Sequence, residues 1–282
     1  MIKLIVTDLD GTLLNNQKML SQTTIDTLVE AQKQGIRIVL ATGRNYQSLE
    51  PIYLKLQMDQ FKSGAIIGVN GEESYYFDEN RYEKIASLTG ENATSILKTL
   101  SLMLFNVQIM NDQQIKNFSY KWLRTAKKMI FNLKHRDMKM SFEGYTKHWI
   151  EINRREVITH EVNKVGIAQL NVYMTLMLPI IRRLYKNQYE VLKVSRGWAE
   201  IMPKGISKGS GVERVMAHYH ILPEEVLVFG DGENDLSMFE VTNHSYAPSN
   251  ALKSVKKKAN YQCLSNEEDG VAKVVAKYLN NG

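Results

Sequence analysis

Residues Ile2 to Leu14 read IKLIVTDLDGTLL, and the reading of this stretch decides the fold. Ile2, Leu4, Ile5 and Val6 form an apolar run of strand length, which stops on two carboxylates, Asp8 and Asp10, with Gly11 and Thr12 directly after them. Alternate side chains of an extended segment point the same way, so Asp8 and Asp10 project together from the strand end. Two adjacent carboxylates repel unless a cation lies between them or one holds a proton. Ligands that are all oxygen favour a hard ion, Mg²⁺ before Zn²⁺. Gly11 permits a sharp turn and leaves room beside the acids. A calcium-loop reading fails, because Thr12, Leu13 and Leu14 occupy positions where such a loop needs further oxygen ligands. An acidic turn closing a strand accounts for the string equally well, so the choice falls to the rest of the chain.

Downstream of the acids, Ser21 is placed to cap a helix over Gln22 to Gln34 that Gly35 closes. The apolar run Ile36 to Ala41 ends on Thr42-Gly43-Arg44, a helix is expected over Tyr46 to Leu56, and the run Ala65 to Val69 ends on Asn70-Gly71. Strand, helix, strand, helix, strand at this spacing predicts an α/β fold, a doubly wound parallel sheet with helices on both faces. Ligands of such sheets bind at the carboxyl edge of the strands, where Asp8, Asp10, Thr42, Gly43 and Asn70 converge.

From Tyr82 to Val194 the alternation lapses. Helices are expected near Gly90 to Leu104 and Tyr120 to Asn132, among strand-like runs such as Val172 to Leu178. Residues 82–194 therefore read as an inserted α+β domain and residues 1–81 with 195–282 as one core. The core pattern resumes with a short strand at Ala199 to Met202, then Ser207-Lys208-Gly209 leading into a helix to Tyr219. A strong strand, Val226 to Phe229, ends on Gly230-Asp231-Gly232-Glu233-Asn234-Asp235. The helix Leu236 to Val241, the strand Ser245 to Ala247, a Lys-rich helix at Asn250 to Lys258, the strand Tyr261 to Leu264 and the helix Glu267 to Leu279 complete the chain.

Bulk properties exclude several classes. The 282 residues are 44% hydrophobic and 23% charged, as in water-soluble globular proteins. The longest apolar run, Val172 to Ile181, carries Thr175 and Pro179 and falls well short of the ~20 residues of a membrane helix. No basic n-region with a cleavage site opens the chain, so no signal peptide is expected. The lone Cys263 excludes an internal disulfide and a thiolate cluster, and a cytoplasmic address fits. The net charge of +6 concentrates between Lys116 and Lys139, where eight Lys/Arg face one acid, Asp137. A solvated helix face accounts for such a run, and no nucleic-acid-binding motif accompanies it, which makes nucleic acid an unexpected partner.

The strand ends share one chemistry. Catalysis on a phosphate monoester is chiefly positioning and charge neutralisation. A cation held by Asp8 and Asp231 draws charge from phosphate oxygens, Lys208 adds a fixed positive point, and the Thr42 hydroxyl with nearby backbone N–H groups supplies hydrogen bonds. Asp8, at the strand end, is best placed as nucleophile, and Asp10 as the acid and base.

Asp8-Leu9-Asp10-Gly11-Thr12, Thr42-Gly43-Arg44, Ser207-Lys208-Gly209 and Gly230-Asp231-Gly232-Glu233-Asn234-Asp235 resemble the four motifs of the haloacid dehalogenase superfamily. The long insertion followed by GDGEND resembles the Cof-type phosphatase branch with a C2-type cap. The resemblance implies that Asp8 is nucleophile and Mg²⁺ ligand, and that Asp10 binds Mg²⁺ through its backbone carbonyl, leaving its carboxyl as acid and base. It implies that Asp231 completes the metal ligands with Asp235 in support, and that Thr42, Gly43, Lys208, Asn234 and the Leu9 backbone hold phosphate. Lys204 competes for the lysine role, but Lys208 directly precedes Gly209 as in the family pattern. Asn70-Gly71-Glu72 departs from the pattern, which has a small residue after the glycine.

The expectation is a Mg²⁺-dependent phosphatase acting on a small phosphoester, a sugar phosphate or a phosphorylated cofactor, with the insert choosing the organic part. A phosphomutase or phosphotransferase is the alternative within the class. A nucleic-acid-binding or regulatory protein that uses the basic segment is the alternative outside it. His218, His220, Trp198 and Cys263 read as structural.

Overall fold

The computed structural model describes residues 1–111, 113–120, 125 and 149–280. In chain order the strands are β1 (Leu4–Thr7), β2 (Arg37–Ala41), β3 (Ala65–Gly68), β4 (Glu73–Tyr76), β5 (Arg81–Lys84), β6 (Asn106–Met110), β7 (Ile115–Phe118), β8 (Trp149–Glu151), β9 (Lys164–Ala168), β10 (Tyr189–Ser195), β11 (Trp198–Pro203), β12 (Val226–Phe229), β13 (Ser245–Pro248) and β14 (Tyr261–Cys263). They form an eight-stranded sheet, ordered β14-β13-β12-β1-β2-β3-β4-β5, and a six-stranded sheet, ordered β10-β11-β9-β6-β7-β8.

In the larger sheet the six strands from β14 to β3 pair in parallel. β1 and β12 read LIVT and VLVF with every residue buried, the near-continuous apolar run of strands covered on both faces. Alternation along β1 then divides two cores. Ile5 packs with Leu28 and Ala31 of the helix Gln22–Lys33 and Val271, Val274 and Val275 of the helix Gly270–Asn280. Leu4 and Val6 pack with Val212, Val215 and Met216 of the helix Lys208–Tyr219. Chain order runs one way from β1 to β3 and the other way from β12 to β14, so the topological switch point lies between β1 and β12.

The doubly wound α/β reading thus matches the sheet, and the differences are local. The helix expected over Tyr46 to Leu56 is a 3-10 turn, Tyr46–Leu49, followed by the short helix Glu50–Lys55. The antiparallel hairpin β4–β5 extends the sheet past β3, where no strands were expected.

Contacts divide the chain into Met1–Ala86 with Gly205–Gly282, and Ser87–Lys204. The divisions fall at 86/87 and 204/205, not at 81/82 and 194/195. The expected core strand Ala199 to Met202 belongs to β11, which pairs antiparallel with β9 and β10. Its inward residues Ala199 and Ile201 pack with Val107, Val165 and Ile167 of the second unit. The expected strand-like run Val172 to Leu178 lies within a helix, Asn171–Tyr185. Met174, Leu178, Ile181 and Tyr185 form its buried face at helical spacing, and the apolar residues between them disguise that period in the sequence. Of the basic segment Lys116 to Lys139, Lys116 lies 3.8 Å from Glu156; the other basic residues, and most of the helix expected over Tyr120 to Asn132, fall outside the described residues. No helix among the described residues is long and apolar enough to cross a membrane.

Candidate active site

Strand register brings the sequence motifs together. Thr7 pairs with Phe229 on one side and Leu40 on the other, and Ala41 pairs with Ile67. The residues that follow, Asp8, Gly230-Asp231, Thr42 and Gly68 to Asn70, therefore leave the sheet at one edge. The backbone continues these ladders: Asp8 N–H donates to the Phe229 carbonyl at 3.0 Å and Thr42 N–H to the Ile67 carbonyl at 2.8 Å.

The opposite wall is the start of the helix Lys208–Tyr219. Ser207 caps it, accepting from Ser210 N–H at 3.1 Å, while the Ser210 hydroxyl accepts from Ser207 N–H at 3.1 Å. Gly209 allows close approach, since a Cβ there would lie 2.3 Å from the Ser237 carbonyl oxygen. The helix start is thus pressed against the Asp231 loop, and Lys208, fully buried, donates to Asp8 Oδ1 at 2.5 Å and to Asp235 Oδ1 at 2.6 Å. The other Asp235 oxygen accepts from Asp231 N–H and Gly232 N–H, both at 2.9 Å, and fixes the loop. Asp231 Oδ1 accepts from the Thr12 hydroxyl at 2.9 Å.

Asp8, Asp231 and Asp235 each offer a carboxylate oxygen within 4.8 Å of the others. Burial pushes the Asp8 carboxyl well above the usual carboxylate range; Asp235 and Asp231 push it the same way, against the pull of Lys208. Burial and the Asp235 charge likewise raise Asp231, to about 6. Burial acts to discharge Lys208, but Asp235 and Asp8 outweigh it and keep the ammonium charged. One buried cation among three acids leaves negative charge to be neutralised. Hard oxygen donors at this spacing fit a divalent cation, and Gly11 keeps the space beside them clear: at φ +90°, a Cβ would lie 2.7 Å from Asp231 Oδ2.

Asp10 stands apart from this cluster. Its carboxylate is gripped by Arg44, Nε to Oδ2 at 2.8 Å and an Nη to Oδ1 at 2.5 Å, and Lys18 Nζ lies 2.8 Å from Oδ1. Burial acts to raise the Asp10 carboxyl, but its bonds and charge interactions with Arg44 and Lys18 outweigh that and hold it below the ordinary value. A third network links the remaining motifs. Asn70 N–H donates to the Thr42 carbonyl at 2.9 Å, the Thr42 hydroxyl accepts from Arg44 N–H at 3.2 Å, and Asn234 Nδ2 donates to Asn70 Oδ1 at 3.1 Å. Gly43 lies beside this amide, which a Cβ would meet at 3.4 Å.

Asp8, Lys208, Asp231 and Asp235 are therefore in one cluster, with Thr42, Gly43 and Asn234 in a linked network at the same edge and Asp10 held by basic residues. Lys204 belongs to the second unit and pairs with Glu190 at 2.7 Å. Sequence reasoning missed Arg44, Lys18 and Thr12 as partners of the acids. Arg44 sits in the Thr42-Gly43-Arg44 turn and was legible; Lys18 was not, because a left-handed turn at Lys18, φ +61°, returns the chain toward Asp10. His218 contacts Asp78 and the Tyr76 ring, and Trp198 donates to Glu200.

This fold and these acids define a class, and comparison identifies it. The chain belongs to the haloacid dehalogenase-like hydrolases, whose family model matches residues 5–275. It is similar to the 5-amino-6-(5-phospho-D-ribitylamino)uracil phosphatase YitU of Bacillus subtilis, with 26% identity over 98% of this chain and 97% of the relative. It is similar also to the pyridoxal phosphate phosphatase YbhA of Escherichia coli, with 25% identity over 98% of both. A crystal structure of a haloacid dehalogenase-like hydrolase from Bacteroides thetaiotaomicron superposes with a TM-score of 0.73 at 28% identity, covering 99% of this chain and 100% of that one.

Proposed function

We propose that this chain is a Mg²⁺-dependent phosphatase that hydrolyses a small phosphorylated metabolite through a covalent intermediate on Asp8. The observation that carries the reading is Lys208, buried between Asp8 and Asp235 with Asp231 alongside, at the switch point of a parallel sheet. Asp8, Asp231 and the Asp10 backbone carbonyl would hold Mg²⁺, with Asp235 in support; when bound, the ion supplies charge neutralisation for the phosphoryl oxygens.

Asp8 attacks phosphorus, forming an Oδ–P bond as the ester P–O bond breaks, and the leaving oxygen takes a proton from the Asp10 carboxyl once that carboxyl has left Arg44 and Lys18 and taken up a proton from solvent. Water then attacks the same phosphorus, giving its proton to Asp10 and releasing inorganic phosphate with Asp8 restored. Arg44 and Lys18 hold the Asp10 carboxyl ionised in this structure, so its acid role requires it to turn away from both. Lys208 holds one Asp8 oxygen and presents fixed positive charge, while Thr42, Gly43, Asn234 and the Leu9 backbone hold the phosphate.

The inserted domain selects the organic moiety. One named relative is a 5-amino-6-(5-phospho-D-ribitylamino)uracil phosphatase and the other a pyridoxal phosphate phosphatase, so phosphates of these kinds join sugar phosphates in the substrate class. The test is a phosphoester panel assayed for inorganic phosphate with Mg²⁺ and with chelator. We expect Mg²⁺-dependent release that falls by at least about a thousandfold in Asp8→Asn; full activity in that variant removes the covalent route, and transfer of phosphoryl to a second hydroxyl in place of phosphate release identifies a mutase.

A further inference from the structure

The helix Asn171–Tyr185 of the inserted unit buries one face and leaves the other without a partner among the described residues. Val172, Leu176, Ile180 and Leu184 are 73%, 67%, 54% and 51% exposed. At four-residue spacing these side chains form one stripe about 18 Å long. Leu170, 66% exposed, and Leu104, 46% exposed, extend it at the amino-terminal end, where Gln169 Nε2 donates to the Leu104 carbonyl at 2.6 Å and the Tyr173 hydroxyl to the Met103 carbonyl at 3.0 Å. The only charges between Val172 and Leu184 are Arg182 and Arg183. Arg182 Nε donates to the Val191 carbonyl, and Arg183, seven residues after Leu176, lies on the same face as the stripe, its long apolar stem adding to the apolar surface.

The exposed face also carries Thr175, Pro179 and Arg183, but four large aliphatic side chains dominate it, and such a face is ordinarily covered. The six exposed side chains present about 600 Å² of apolar surface, at the upper end of the largest patch on a typical monomer and near the ~800 Å² that each partner buries in a standard interface. A straight apolar stripe is also its own complement: a two-fold axis across its middle lays Leu176 of one copy against Ile180 of the other. We propose that this stripe is a homodimer interface, its occupant the same helix of a second copy of this chain.

The experiment is sedimentation velocity of the full chain from about 1 to 100 µM, beside the variant Leu176→Asp/Ile180→Asp; both positions are more than half exposed, and far-UV circular dichroism checks the fold. The proposal expects a dimer of the wild type in the upper part of that range and a monomer of the variant throughout, with unchanged dichroism. A wild type that is monomeric at every concentration overturns it, including the case in which residues 121–148 of the same chain cover the stripe. A variant that dimerises as tightly as the wild type overturns it as well.

Discussion

Lys208 is the residue on which the site balances. Among the described residues it is the one cation paired with Asp8 and Asp235, so Lys208→Met leaves two buried carboxylates facing each other. Removing one partner of a buried ion network costs about 3–5 kcal/mol, and urea denaturation of the variant is expected to show a loss of that order. The residue's role was legible from the sequence, since only Lys208 directly precedes Gly209 at a helix start; its full burial was not, because burial depends on the packing of Gly209 against Ser237. Cys263 shows the opposite case, a thiol shifted chiefly by burial rather than by a charge. Burial pushes it up from 9.0 to about 11. At pH 8 its thiolate fraction is therefore about a hundredfold below that of the unfolded chain, and alkylation of the native protein should be slower by a similar factor. The sign for stability follows: between pH 9 and 11 the native state holds the extra proton, so unfolding becomes easier as pH rises through that window. Equal alkylation rates in native and urea-unfolded protein would contradict this.

At the scale of elements, the strand-to-loop turns do the positioning. Gly11 is the one that borders the acids, at φ +90° with Asp231 Oδ2 2.7 Å from where a Cβ would be. Gly11→Ala is expected to cost about 1–3 kcal/mol in backbone strain, seen as a lowered melting temperature, and to weaken divalent-cation binding by displacing Asp231. Gly43→Ala, whose Cβ would meet Asn70 at 3.4 Å, should be much milder, and equal effects would remove the special role given to Gly11. β1, β2, β3 and β12 were legible because each is a largely buried apolar run closed by a polar turn. β4 and β5 were not: Glu73-Ser74-Tyr75-Tyr76 and Arg81-Tyr82-Glu83-Lys84 mix charge with tyrosine, and only their pairing with β3 and each other makes them strands. The helix Asn171–Tyr185 escaped for the reverse reason, since exposed Val172, Leu176, Ile180 and Leu184 mask the period of its buried face.

At the scale of the whole chain, the fold joins residues that sequence separates: Asp8 and Lys208 are 200 positions apart and hydrogen-bonded. An insertion between β5 and the Lys208 helix leaves the core continuous because β12 returns beside β1 in register, Leu4 against Val226. The core half of this organisation was readable from the resumed strand–helix alternation after the insert, while the insert's own limits required knowing which sheet claims β11. The account's central claim is that Asp8 and Asp231, brought together in this way, serve one divalent cation. Titration calorimetry with Mg²⁺, and with Mn²⁺ as a check, measures this directly on wild type, Asp8→Asn and Asp231→Asn. The account predicts one ion per chain for the wild type, with affinity lower by about tenfold or more in each variant; wild-type affinity in Asp231→Asn, or no binding by the wild type, would contradict it.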